Sequence, residues 1–193
     1  SRVFYASELG CPSTIRCNPN RGRVNVLLFG MSHKISDRPS YLTKLQHLLE
    51  NSSVDYTVSV STAVHEGSPW DGAFTSTVDK LRDVFDAHLR VLGYLGDDAL
   101  ARELHNCHAV GLFFDPAARA NNTSLWAAMD AAAPVVTHLD ANSPPELIHD
   151  KTVFDIIRMN EWPSCQRLVY VGLGGARAAA GRGWGRLLEV LSA

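Results

Sequence analysis

The first apolar cluster is Val24-Asn25-Val26-Leu27-Leu28-Phe29-Gly30, where neighbouring positions on both pleat faces are apolar. That is the pattern of a strand covered by helices on each side. Tyr41, Leu42, Leu45, Leu48 and Leu49 then recur at spacings of three and four behind Ser40, which predicts a helix with Ser40 as its N-cap. Tyr56 to Val60 predicts a second strand, and Val78, Leu81, Val84 and Phe85 mark a second helix after a loop rich in Gly, Ser and Pro. The alternation continues with a strand at Leu89 to Leu92, a helix capped by Asp97 and carrying Leu100 and Leu104, and a strand at Ala109 to Phe114. Asn122 opens a helix through Leu125, Ala128, Met129 and Ala132, and Pro134 to Thr137 forms the next strand. Strands alternating with helices imply an α/β fold, a single Rossmann-like, doubly wound parallel sheet with helical crossovers. Residues 1–23, with Pro12, Pro19 and Gly22, read as an irregular N-terminal segment or interdomain linker, and 24–193 as the Rossmann-like domain. Beyond Pro144-Pro145 the pattern weakens to a helix around Thr152 to Met159 and a closing one through Trp184, Leu187, Leu188 and Leu191.

The composition fits one globular domain. Of 193 residues, 46% are hydrophobic and 20% charged, enough apolar mass for a core and the size of one typical domain. Eighteen Lys and Arg against 20 Asp and Glu leave a net charge of −2, so no basic field exists to hold nucleic acid, and an anionic ligand must be met by local groups. No apolar run approaches the roughly 20 residues that span a bilayer, and the N-terminus lacks the apolar middle of a secretory signal. Cys11, Cys17, Cys107 and Cys165 show no CxxC spacing and read as reduced thiols of a cytoplasmic protein. Asn51-Ser52-Ser53 and Asn121-Asn122-Thr123 match the glycosylation pattern, which carries weight only on a secretory route.

In an open parallel sheet, ligands sit beyond the carboxyl ends of the strands, and three strand-end loops carry candidate chemistry. Gly30 to Arg38 combines a Gly that permits close backbone approach with the charges of Lys34 and Arg38; it suits a diphosphate or an ordinary solvated loop. In Phe113 to Ser124, Asn121, Asn122, Thr123 and Ser124 offer N–H groups and hydroxyls at a helix start, with Arg119 just upstream. Such a terminus holds phosphate, although capping alone also accounts for these residue types. Gly93-Tyr94-Leu95-Gly96-Asp97-Asp98 puts Tyr94 and Leu95 where a base ring can rest, or forms a plain turn. Val171-Gly172-Leu173-Gly174-Gly175-Ala176-Arg177 imitates part of a dinucleotide fingerprint but lacks its third Gly. The eight histidines show no HExxH spacing, so no metal site is expected.

Taken together, these segments resemble the donor-binding half of GT-B glycosyltransferases, in particular the retaining family four. Leu92 to Leu100 followed by Ala109 to Phe114 looks like the family's base-contacting turn, helix and strand. Ala127-Ala128-Met129-Asp130-Ala131-Ala132-Ala133-Pro134-Val135-Val136 looks like its Glu-Ala-Met-Ala-x-Gly-x-Pro-Val-Val signature, and Pro145-Glu146 like the Pro-Glu that follows. Trp184 to Leu191 resembles its closing helix, and Val24 to Leu49 its first strand, phosphate loop and helix.

The resemblance implies a C-terminal domain that binds a nucleoside-diphosphate sugar, with an N-terminal acceptor-binding domain completing the enzyme. The isolated chain is then expected to be inactive. Gly30, Lys34, Arg38, Arg119, Asn121, Asn122, Thr123 and Ser124 would meet the diphosphate, and Tyr94 and Leu95 the base, with no metal or other cofactor. The family's two glutamates fall on Arg119 and Ala127; an Arg in the sugar-facing position suits an acidic sugar or a different phosphate grip. The usual Arg after the first loop's Gly is Met31. Two alternatives stand beside this reading: a non-catalytic interaction domain of the same fold, and a nucleotide-sugar epimerase.

Overall fold

The structure, a computed structural model, describes residues 23–29, 39–61 and 72–182. The six strands are β1 (Arg23–Leu28), β2 (Asp55–Val60), β3 (Leu89–Val91), β4 (Ala109–Leu112), β5 (Val135–Thr137) and β6 (Phe154–Asp155). They form one all-parallel sheet in the order β3-β2-β1-β4-β5-β6. The helices are α1 (Pro39–Asn51), α2 (Gly72–Phe85), α3 (Asp97–Asn106), α4 (Thr123–Asp130) and α5 (Cys165–Ala180). The sheet grows outward from β1 through β2 to β3 and, on the other side, from β4 through β5 to β6. Between β1 and β4 the winding reverses, which makes their carboxyl ends the topological switch point.

The doubly apolar reading of the first strand is borne out residue by residue. Val26 and Leu28 pack with Leu42, Leu45 and Leu49 of α1 and Leu81 and Phe85 of α2. Leu27 and Phe29 pack on the opposite face with Leu104 of α3 and Leu125, Ala128 and Met129 of α4. Each such side chain removed from water contributes about 1.5–3 kcal/mol, so both helix layers are held by the same alternating strand.

The C-terminal third departs from expectation. In place of a helix around Thr152 to Met159, the chain forms β6 and a turn, with Val153, Phe154 and Ile156 fully or almost fully buried. Apolar density at these positions feeds a core reached through an extended segment rather than through a helical stripe. The helix that does form, α5, contains the glycine cluster at 172–175. A side chain at Gly172 or Gly174 would collide with the carbonyl oxygen of Ala132 or Lys151, and one at Gly175 would sit 2.9 Å from Thr152 O. The cluster is thus the surface through which α5 reaches neighbouring backbone, not a phosphate-binding turn. α4 ends at Asp130, two residues before the predicted Ala132, which takes a left-handed conformation (φ 52°) where the resembled family has Gly. The closing helix expected at Trp184 to Leu191 lies outside the described residues, as does nearly all of the segment 1–23.

Cys107 is a buried thiol in no disulfide, its Sγ–H donating to Leu104 O at 3.3 Å, but Cys165 is disulfide-bonded, so the expectation of reduced thiols fails there. A disulfide needs proximity in space, which sequence spacing does not report. The redox argument for a cytoplasmic protein loses its support with it. Among the described residues, no helix is long and apolar enough to cross a membrane.

Candidate functional site at the switch point

The expected residues that the structure describes fall on loops and a helix start along the carboxyl rim of the sheet. Neighbouring strands stand about 4.8 Å apart, so the loop after β3 lies about 14 Å along the rim from the loop after β4, three strand positions away. The loop after β1, with Gly30, Lys34 and Arg38, lies outside the described residues; β1 itself is the direct neighbour of β4.

The loop between β4 and α4 is held at several points. Ala118 N–H donates to His138 O at 3.0 Å, tying the loop to the end of β5. The Arg119 N–H donates to Asn122 Oδ1, and Trp126 Nε1–H donates to Ala120 O at 2.9 Å. Asn122 is the N-cap of α4, yet its side chain makes no capping bond. The cap expected of Asn122 is therefore absent: its oxygen is turned back onto the loop. Leu125 and Trp126 N–H return to Asn122 O. The Thr123 and Ser124 N–H groups precede that first helical bond, and no described group satisfies them. Two unfilled donors at the positive end of a helix dipole are what an anion requires.

Arg119 is bound on its side chain too. Its Nη1 donates to Ala118 O at 3.0 Å and to Asp140 Oδ1 at 2.8 Å, and its Nη2 donates to Asp140 Oδ2 at 2.6 Å. Asp140, beyond β5, also accepts from Asn142 N–H at 2.9 Å and Ser143 Oγ–H at 3.3 Å. The guanidinium hydrogen bonds hold the Asp140 carboxyl well below the usual carboxylate value, at about 2. The charge reversal expected from Arg119 is thus cancelled by a partner that carries no sequence signature. The Arg119 and Asp140 side chains remain 25% and 30% exposed, so the pair lines the rim.

A third cluster went unpredicted. Tyr41, in the first turns of α1, lies 3.0 Å from His138 Nδ1 through its hydroxyl, and its ring stands 5.7 Å from that of Phe113, centroid to centroid. These contacts fix the start of α1 against the ends of β4 and β5. Only position hints at them in sequence, because Phe113 and His138 each follow a strand directly.

At the far end of the rim, Gly93 adopts φ 71°, and its carbonyl accepts from Ser61 Oγ at 3.0 Å. The turn leaves Tyr94 43% exposed and Leu95 half-buried. Gly96, not Asp97, is the N-cap of α3, without a side-chain cap; Asp97 and Asp98 occupy the first turn, where negative charge suits the dipole. Arg119, Asn121, Asn122, Thr123 and Ser124 are therefore gathered in one place, and Tyr94 and Leu95 in another. Ala127, at the second glutamate position, is half-buried within α4.

Among the described residues, no cluster of His, Cys, Asp and Glu is arranged to hold a metal. A cavity of about 150 Å³ lies by β6, lined by His149, Phe154, Arg158 and Arg167 among others. Its cations are already engaged, Arg167 by Asp150 and Arg158 by Asp155, and it contains none of the rim residues above.

No family profile matches the sequence, and no curated protein matches it either. Solved structures do share its fold. The chain superposes on the C-terminal domain of a glycosyl transferase group 1 family protein, LpcC, from Francisella tularensis, with a TM-score of 0.57 at 14% identity over 93% of this chain and 95% of that one. Sucrose-phosphate synthase from Thermosynechococcus elongatus gives 0.60 at 14% identity, over 98% of this chain and 50% of that one. Anabaena HepE, solved with UDP and glucose, gives 0.59 at 12% identity over 89% and 49%. The fold is that of the Rossmann-like C-terminal domain of GT-B glycosyltransferases, and the chain spans about half the length of the latter two enzymes.

Proposed function

We propose that this chain is the donor-binding half of a glycosyltransferase, akin to the retaining family four, that takes a sugar from a nucleoside diphosphate. The observation that carries the reading is the open start of α4 beside the β1/β4 switch point, with Asn122 turned away and the Thr123 and Ser124 N–H groups unfilled. In this reading the diphosphate sits there, Gly30 lets the backbone approach, and Lys34 and Arg38 add charge. Arg119 and Asn121 border the same site. The base extends along the rim to Tyr94 and Leu95, a span of about 14 Å that suits an extended nucleotide. Helix-end N–H groups and cationic side chains stabilise the leaving diphosphate, with no metal called upon. An acceptor-binding domain supplies the opposite wall of the cleft, and without it the chain does not transfer sugar.

Calorimetric titration of the chain with UDP, GDP and ADP tests this. Binding of one of them, weakened by Arg119→Ala, is the expected outcome, because the substitution strands the Asp140 carboxylate beside the phosphates. No heat with any of the three removes the donor site and leaves the non-catalytic reading. That alternative draws on Arg119 and Ala127, which stand where the resembled family has carboxylates.

A further inference from the structure

The donor-binding reading, laid on the strand order, sets the direction in which a bound donor runs. With the base at the loop after β3 and the diphosphate at the β1/β4 switch point, the rim continues past β4 to β5, and there stand Arg119 and Asp140. Anything attached beyond the diphosphate comes to rest over this pair. The inference rests on the donor-binding reading above and goes one step further, to the kind of sugar.

A guanidinium has five N–H donors in a planar fork. Three are spent: both on Nη1, on Ala118 O and Asp140 Oδ1, and one on Nη2, on Asp140 Oδ2. The end-on fork of Nη1 and Nη2 is filled by a carboxylate of the chain itself, which matches the charge of Arg119 and leaves only the Nε–H and one Nη2–H. Asp140 is held in that pose by Asn142 N–H and by Ser143 Oγ, whose atom also accepts the Asp140 N–H at 3.0 Å. An incoming uronate meets an Arg119 whose charge is already matched and the Asp140 carboxylate at close range. A neutral hydroxymethyl group instead donates its O–H to Asp140 and accepts from the Nε–H or the spare Nη2–H of Arg119.

We propose that Asp140 is a specificity-determining residue that occupies Arg119 and so restricts the donor to neutral sugars, excluding hexuronic acids. The test uses the 193-residue chain with UDP, UDP-glucose and UDP-glucuronate, and in parallel GDP, GDP-mannose and GDP-mannuronate, titrated by calorimetry. The wild-type chain is expected to bind the neutral-sugar form about tenfold more tightly than the uronate, the scale of one charge-assisted hydrogen bond. Asp140→Asn keeps the loop's shape and unmasks Arg119, so the ratio of uronate to neutral-sugar affinity should rise about tenfold. Asp140→Ala should do the same, and adding Arg119→Ala to either should return the ratio to its wild-type value. Thermal melts of each variant report folding, and the wild-type preference needs no variant at all. Equal wild-type affinity for both sugar forms, or a ratio unmoved in folded Asp140→Asn, overturns the proposal while sugar-free UDP or GDP still binds. Failure of UDP, GDP and ADP alike to bind overturns the donor reading and this inference with it.

Discussion

Gly174→Ala sets two energies against each other, and the structure decides which wins. In an exposed helix the exchange stabilises by about 1 kcal/mol, because Ala is the better helix former. In α5 the new methyl would fall on the carbonyl oxygen of Lys151, with the Lys151 carbonyl carbon at 3.1 Å and Thr152 Cα at 3.7 Å behind it. The obstacle is backbone, which cannot swing aside as a side chain would, so the helix must withdraw from the loop that leads into β6. Overpacking of this kind costs about 1–3 kcal/mol, and an obstacle without rotamers puts this site at the upper end. The net expectation is a loss of about 2 kcal/mol, or about 4–8 °C in melting temperature for a domain of this length. Urea denaturation followed by circular dichroism measures it, with nucleotide titration alongside. Unchanged or raised stability would refute the packing argument. Lost nucleotide affinity in a fully folded variant would return the glycine cluster to phosphate binding.

Tyr56→Phe removes a buried hydroxyl that has no hydrogen-bond partner while keeping the stack on His88, whose ring centroid is 4.1 Å away. A gain of about 1 kcal/mol is expected in chemical denaturation, and a loss would show that the hydroxyl is satisfied in solution. Burial lowers the His149 pKa, the larger effect against the opposing charges of Asp150 and Asp155, and its Nδ1 accepts the Asp155 N–H at 2.9 Å. The unfolded chain therefore binds this proton more readily, so stability is complete above about pH 6.5 and declines as pH falls below it; His149→Gln should flatten that slope in urea midpoints taken between pH 7.5 and 5.5. Asn122→Ser gives up the bond to Arg119 N–H and supplies a short hydroxyl at the N-cap, where it fills helix donors. Melting temperature should hold or rise while nucleotide affinity falls, and affinity that is unchanged would show that the α4 start is not the phosphate site.

The sheet was legible because its strands report burial directly. Val26, Leu27, Leu28 and Phe29 are apolar in succession, and each finds a helix on its own side. Helix α5 was not legible, because Gly172, Gly174 and Gly175 lower helix propensity at the positions where close approach requires them. Local statistics score the missing side chains as a loop, whereas the reason for their absence lies in Ala132 and the 151–152 segment. The site divides in the same way. Arg119 and the Asn121 to Ser124 run announce a helix start after a strand, but Asp140 lies 21 residues from Arg119, and His138 lies 97 from Tyr41. Neither pair has a spacing that any local pattern would favour. The residue type of Asn122 predicts a cap, whereas its side chain braces the loop.

The Arg119–Asp140 pair changes what must hold an anion here. A net charge of −2 gives no general attraction, and an arginine matched by its own carboxylate adds orientation without net charge. Local positive potential at the described part of the rim then comes from the α4 terminus, worth about half an elementary charge, and depends on two N–H groups staying unfilled. The brace from Asn122 Oδ1 to Arg119 N–H keeps a ready capping group away from those donors. Preorganisation of an anion site, on the donor-binding proposal, therefore resides in the loop that restrains Asn122 and Arg119.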